Sequence, residues 1–256
     1  MEKYANLYLE YSLQGKLADD NYVIEIINIA KSNGYITNSV NNIEQDKYAT
    51  NGAYYSPKSK TIGWVPTLME KHTFVQFDKN IKNKNSLEYI FYYNYEILTA
   101  ILHEIEHANQ YEMSKSKEDS IEAQICKLDY KLIDDAHFIN IIRTIKNGLH
   151  RTKKYEYSPI ERMAELSMRE KIFGILDFVF ALDDLDFKML DAMHINNMKN
   201  MMHNRKRGYD ILQQEIYKGA LLLYFEGSYI MKKLKKLDIY DEDLKQFLKN
   251  AASRYV

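Results

Sequence analysis

His103, Glu104 and His107 stand in the order H-E-x-x-H within the segment Ile101-Leu102-His103-Glu104-Ile105-Glu106-His107-Ala108. On a helix, positions four apart share one face about one turn apart, so both imidazoles can address a single ion. Neutral imidazole suits zinc, and two ligands so spaced pre-organise half of a tetrahedral site. Glu104 sits on the flank of that face, near the ion without binding it, where a carboxylate can take a proton from a metal-bound water. The chemistry these types and spacings support is metal-assisted hydrolysis. The competing reading is a surface helix with two histidines beside carboxylates by accident. With seven histidines in 256 residues, an accidental match is on the order of one in a hundred, and the zinc reading prevails.

A catalytic zinc takes three protein ligands and a water, so a third ligand must come from another element. Glu161 and Glu165 are the best candidates. Their E-x-x-x-E spacing puts both carboxylates on one helical face. One can bind the ion while the other, a turn on, accepts a hydrogen bond from a ligand histidine and fixes its tautomer. Ser158 and Glu161 also spell S-x-x-E, a capping box in which Glu161 turns back to the Ser158 backbone. On that account Glu165 is the ligand, or neither is. Glu161 is the preferred ligand, and Glu165 stays open.

H-E-x-x-H on one helix followed by E-x-x-A-(D/N/E) on a later one resembles the gluzincin branch of zinc metallopeptidases. That branch includes the thermolysin-like enzymes and the intracellular ImmA/IrrE-type proteases of bacterial mobile elements. The resemblance spans about residues 53–170 and is specific at few positions. It implies His103 and His107 as histidine ligands, Glu104 as general base and Glu161 as glutamate ligand. Ala164 matches the small residue of the later motif, and Glu165 the acid that orients a ligand histidine. It also implies a zincin-like two-lobed fold, a Zn2+ cofactor, a protein or peptide substrate, and a His or Tyr that stabilises the oxyanion. Tyr157, His194, His203 and Tyr209 are eligible for that last role, whereas His72, His137 and His150 lack a partner at ligand spacing and read as structural or exposed. Two departures stand out. His107 and Glu161 are separated by 53 residues, which requires an inserted helical segment, and Glu106 occupies a position where the ImmA/IrrE group often has glycine.

The elements that must position these groups follow from periodicity. A first helix is expected over residues 3–17, and a second from Asp19 or Asp20 as cap to Ser32, with Gly34 as its stop. Residues 35–50 read as loop or short extended pieces. Gly52 to Pro66 reads as a β-hairpin around Ser56-Pro57-Lys58-Ser59, and a third strand is expected from Thr73 to Phe77. The edge of such a sheet can bind an extended peptide beside the metal. Ser86 to Tyr111 is the helix of the motif, apolar over most of its circumference and therefore central. A helical region follows from Glu118 to Asn147, then a basic loop from Leu149 to Tyr157. Ser158 and Pro159 start a helix that runs to Leu182, and three more helices fill 185–202, 209–237 and 241–255.

Composition narrows the function. Hydrophobic residues make up 46% of the chain, enough for a sizeable core, and nine glycines with three prolines favour long helices. The formal net charge of −1 offers no electrostatic case for nucleic acid or an acidic membrane. Cys126 is the only cysteine, so no intrachain disulfide forms, which suits a reducing cytoplasm; its neighbours make it a buried small hydrophobe. The N-terminus has no apolar signal core, and the longest apolar stretch, 172–182, is too short to span a membrane. The expectation is a mostly α chain with a small antiparallel β-sheet (α+β), one metallopeptidase domain over 1–256. Residues 1–115 would form an N-lobe with the sheet and H-E-x-x-H helix, and 116–256 a helical C-lobe supplying the third ligand. The expected function is a cytoplasmic zinc metalloendopeptidase with a processing or regulatory role. The alternative is a metal-stabilised regulatory or binding protein without turnover. The oligomeric state is not legible in the sequence.

Overall fold

The structure, a computed structural model, describes residues 1–46, 52–76, 84–118 and 159–181, with 120, 123, 126, 127 and 130 between them. The helices expected at 185–202, 209–237 and 241–255, the loop 149–157, and most of 118–147 lie outside the described residues. So does the basis for dividing the chain at 115/116 into two lobes.

Two short helices open the chain. In α1 (Glu2–Leu13), Tyr4, Ala5, Tyr8, Leu9 and Ser12 form a buried stripe at three- and four-residue spacing. In α2 (Asp20–Ser32) the stripe is Tyr22, Val23, Ile26, Ile27 and Ala30, and the Asp19 carboxylate caps the helix by accepting from the Tyr22 N–H at 3.0 Å. Both helices end at a glycine in the left-handed region, Gly15 at φ +69° and Gly34 at φ +68°, so α1 stops four residues before the expected 17.

The sheet has three strands, β1 (Asn42–Gln45), β2 (Ala53–Ser56) and β3 (Thr61–Trp64), in the order β1-β3-β2. The expected hairpin is present, with β2 antiparallel to β3 and Tyr55 opposite Ile62. β1 runs parallel to β3, however, so the sheet is mixed where an antiparallel one was expected. β3 is buried along its whole length. Gly63 is required there because the Tyr54 ring lies over it and a Cβ would overlap that ring. The Tyr54 hydroxyl donates to Glu44 at 2.6 Å, clasping β1 and β2 across the central strand.

The strand expected at Thr73 to Phe77 is not formed, because residues up to Gln76 belong to a helix, α3 (Pro66–Gln76). Pro66 has its φ set for helix and has no N–H to leave unpaired in the first turn. Val65 C=O accepts from both Leu68 and Met69 N–H, and the helix so started runs through the β-branched residues beyond. The third place in the sheet goes instead to β1, from the Asn-rich stretch.

α4 (Leu87–Lys115) starts at Ser86, whose hydroxyl accepts from Tyr89 N–H at 3.2 Å, and runs four residues past the expected Tyr111. Every residue from Tyr89 to Leu98 is buried, as a central helix requires. Buried Asn94 ties it to the turn after α1: its Oδ1 accepts from Ala18 N–H at 2.7 Å and its amide donates to Lys16 C=O and Ser12 Oγ. The last described helix, α5 (Pro159–Ala181), packs on α4 and α1. Its Met168, Ile172, Ile175, Leu176 and Val179 join α1, α2 and α4 in one hydrophobic core. Cys126 is buried beside Tyr130 and Ile160. Among the described residues no helix is long and apolar enough to cross a membrane.

Candidate metal centre

The helical turn of α4 from 103 to 107 directs both histidines at α5. Their rings lie edge to face, with centroids 4.8 Å apart. One carboxylate oxygen of Glu161, on the first turn of α5, stands 3.4 Å from His103 Nε2 and 3.3 Å from His107 Nε2. One ligand atom from each of the three residues lies within 4.8 Å of the others. Glu161 thus faces the histidines. Ser158, the other half of the possible capping box, lies outside the described residues.

Glu165 takes a different position. Its Oε2 is 3.7 Å from His103 Nδ1, on the side of the ring away from Glu161, and its Oε1 accepts from Arg169 one turn on. The two glutamates therefore address opposite nitrogens of the same imidazole. Ala164 is fully buried between them in sequence, where a larger side chain would push α5 off its neighbours.

Glu104 is buried on the flank towards the sheet. The pairing Val65 N–H to Gly52 C=O marks residues 52 and 65 as a hydrogen-bonded pair. Tyr55 is then in a non-bonded pair, and its backbone groups point out of the β2 edge. The Tyr55 backbone N–H is on that side and favours the Glu104 anion.

Charge is distributed unevenly across the cluster. Burial pushes the Glu104 carboxyl above its ordinary range; the neighbouring His107 and His103 oppose this, and Glu161 adds to it. Burial disfavours the charged form of His107, but the Glu161 carboxylate outweighs it and, with Glu104 and Gln110, lifts the ring to about 9. Burial likewise acts against the Glu161 anion, and hydrogen bonds and charge from His103 and His107 overcome it, lowering Glu161 to about 2. His107 and Glu161, 3.3 Å apart, thus each favour the other's charged form.

Next to the histidines on the α5-facing side of α4, Glu106 is 5% exposed and engaged with α5 and with Tyr35. Its Oε2 accepts from Ser167 Oγ at 2.7 Å and Lys171 Nζ at 3.2 Å, and from the Tyr35 hydroxyl. Lys171 also lies over the Tyr35 ring, 3.9 Å from its centroid. Burial opposes the Glu106 anion, but Lys171, Ser167 and Tyr35 more than compensate and hold it below the usual carboxylate range.

The structure therefore brings together His103, Glu104, His107 and Glu161, with Glu165 behind His103. Tyr157, His194, His203, Tyr209, His137 and His150 lie outside the described residues, and His72 falls within α3. Sequence reasoning did not single out Gln110, Tyr130 or the Tyr55 N–H. Gln110 Oε1 accepts from His107 Nδ1 at 2.9 Å and its amide NH2 donates to Ile160 C=O at 2.9 Å, and Tyr130 donates to the His107 C=O at 2.9 Å. Gln110 had a signal, its three-residue spacing from His107 on one face; the other two depend on tertiary contacts. Compared with known protein families, curated proteins and solved structures, the chain has no match in any of the three. The gluzincin resemblance rests on the residues themselves.

Proposed function

We propose that this protein is a zinc-dependent endopeptidase with His103, His107 and Glu161 as metal ligands and Glu104 as general base. One observation carries the reading: a single Glu161 oxygen stands 3.4 and 3.3 Å from the two Nε2 atoms. Ligands about 2.0–2.2 Å from a tetrahedral ion stand about 3.4 Å from one another. The spacing is longer than most N–H···O bonds and suits an ion between the three groups. Two nitrogens and one carboxylate oxygen also form a donor set suited to zinc.

Zinc held there would acidify a water and polarise a peptide carbonyl. Glu104 takes the proton as the water oxygen adds to the carbonyl carbon, and returns it to the amide nitrogen as the C–N bond breaks. A buried carboxyl with a raised pKa suits both halves of that transfer. Glu165, at His103 Nδ1, orients a ligand ring. The β2 edge beside Glu104 suits an extended peptide. In the zincin-like arrangement the chain past 116 would complete a second lobe around the cleft.

A reading without turnover is favoured by one fact: α4 and α5 are also clamped by Glu106 and Lys171. An ion at the cluster would then serve as a second staple between the same helices. The test is elemental analysis of the purified protein together with cleavage of denatured casein, with and without chelator. One zinc per chain and chelator-sensitive cleavage are expected. Absence of stoichiometric metal would overturn both readings, and zinc without cleavage of any tested substrate would favour the staple.

A further inference from the structure

We infer that Gln110 is a positioning residue that sets the protonation pattern of His107 and couples that ring to the helix carrying Glu161. The inference rests on the metal-centre reading for its purpose, although its geometry stands without it. Gln110 is fully buried on α4, one turn after His107. Its side-chain amide has two polar neighbours, His107 Nδ1 at 2.9 Å and the backbone carbonyl of Ile160 at 2.9 Å.

The two contacts decide each other. A carbonyl oxygen can only accept, so the amide NH2 must face Ile160. The amide oxygen is left facing His107, and an oxygen can only accept in turn. Nδ1 must therefore keep its proton, so Nε2, the nitrogen 3.3 Å from Glu161, is the one that gives up its proton and turns its lone pair to an ion. Ile160 is the residue before Glu161. One buried amide thus fixes the ligand nitrogen of α4 and tethers the backbone beside the ligand oxygen of α5. Glu165 has a comparable place at His103 Nδ1, but at 3.7 Å and 28% side-chain exposure it is the looser of the two.

The test uses the full chain, its Gln110→Met variant and its Gln110→Glu variant. Met fills similar volume without hydrogen bonds, whereas Glu keeps an acceptor for Nδ1–H. Imidazole 15N shifts of His107 are read in metal-free protein at alkaline pH, where the ring carries one proton. The wild type should show the Nδ1–H form, Gln110→Met should lose it, and Gln110→Glu should restore it. Zinc affinity by chelator competition should fall about 10–100-fold in Gln110→Met and recover in Gln110→Glu. A wild-type ring protonated at Nε2 overturns the inference without any variant, as does a Met variant with unchanged tautomer. A wild type that shows Nδ1–H yet binds no zinc defeats the peptidase reading alone.

Discussion

Lys171 on α5 reaches Glu106 on α4 with its Nζ 3.2 Å from Oε2, both side chains nearly out of solvent at 12% and 7% exposure. The pair lies beside the His103–Glu161 contact on the α5-facing side of α4, so the two helices are held at a second point next to the motif. Removing one partner from a buried pair strands the other charge, at a cost of about 3–5 kcal/mol, while replacing both with apolar groups is often nearly neutral. Glu106→Leu should therefore be strongly destabilising in urea unfolding, and Lys171→Met added to it should recover most of the loss. A Glu106→Leu protein as stable as wild type would show that the pair does not hold α5.

Glu104 is buried on the motif helix beside His103 and His107 and is not one of the three residues whose ligand atoms cluster. Glu104→Gln should keep one zinc per chain and lose cleavage by about a hundredfold or more. A variant that cuts at the wild-type rate would remove Glu104 from the role of base.

Glu161 and Glu165 can be separated by metal content. Glu161→Ala should lose stoichiometric zinc, since its oxygen is the one between the two rings. Glu165→Ala should retain the ion with affinity about 10–100-fold weaker, as for other groups behind a ligand histidine. The reverse order would exchange their assignments.

The metal-free protein should show a pH dependence with a definite sign. The folded His107 pKa of about 9 lies above its ordinary 6.5, so its contribution to stability is full below 6.5 and is lost as pH rises through 9. Glu161, lowered from 4.5 to about 2, contributes fully above 4.5 and loses that contribution as pH falls through 2. Chelator-treated protein should therefore be most stable from this pair between pH 4.5 and 6.5. Its melting temperature should fall towards pH 9, by about 2–4 °C for each kcal/mol lost. Zinc competes with the His107 proton, so apparent zinc affinity should rise with pH over the same alkaline range. A flat alkaline limb in the metal-free protein would remove the His107–Glu161 pairing.

Local signals carried the helices and the motif. Asp19, Ser86, Pro159 and Gly34 mark helix ends by backbone chemistry that needs no distant partner, and those ends stand where that chemistry puts them, whereas the first helix, expected to run to 17, stops before Gly15. The same local reasoning failed at Thr73–Phe77, where β-branched residues suggested a strand while the start signal at Pro66 extended a helix through to Gln76. It also missed the direction of β1, since a four-residue strand pairs wherever the rest of the fold leaves an edge.

From residue order alone came the i, i+4 histidines with a carboxylate between them, and two glutamates a turn apart on a later helix. Helical geometry makes those spacings equivalent to shared faces. Which glutamate meets both rings, and which nitrogen of His103 each addresses, was decided only by how α5 docks on α4. That docking depends on contacts between residues distant in the chain: the Glu106–Lys171 pair, 65 positions apart, the Gln110 bridge to Ile160, 50 apart, and the shared core. Such long-range pairings carry no periodicity in the chain, because burial and hydrogen bonding select them only after the helices have come together.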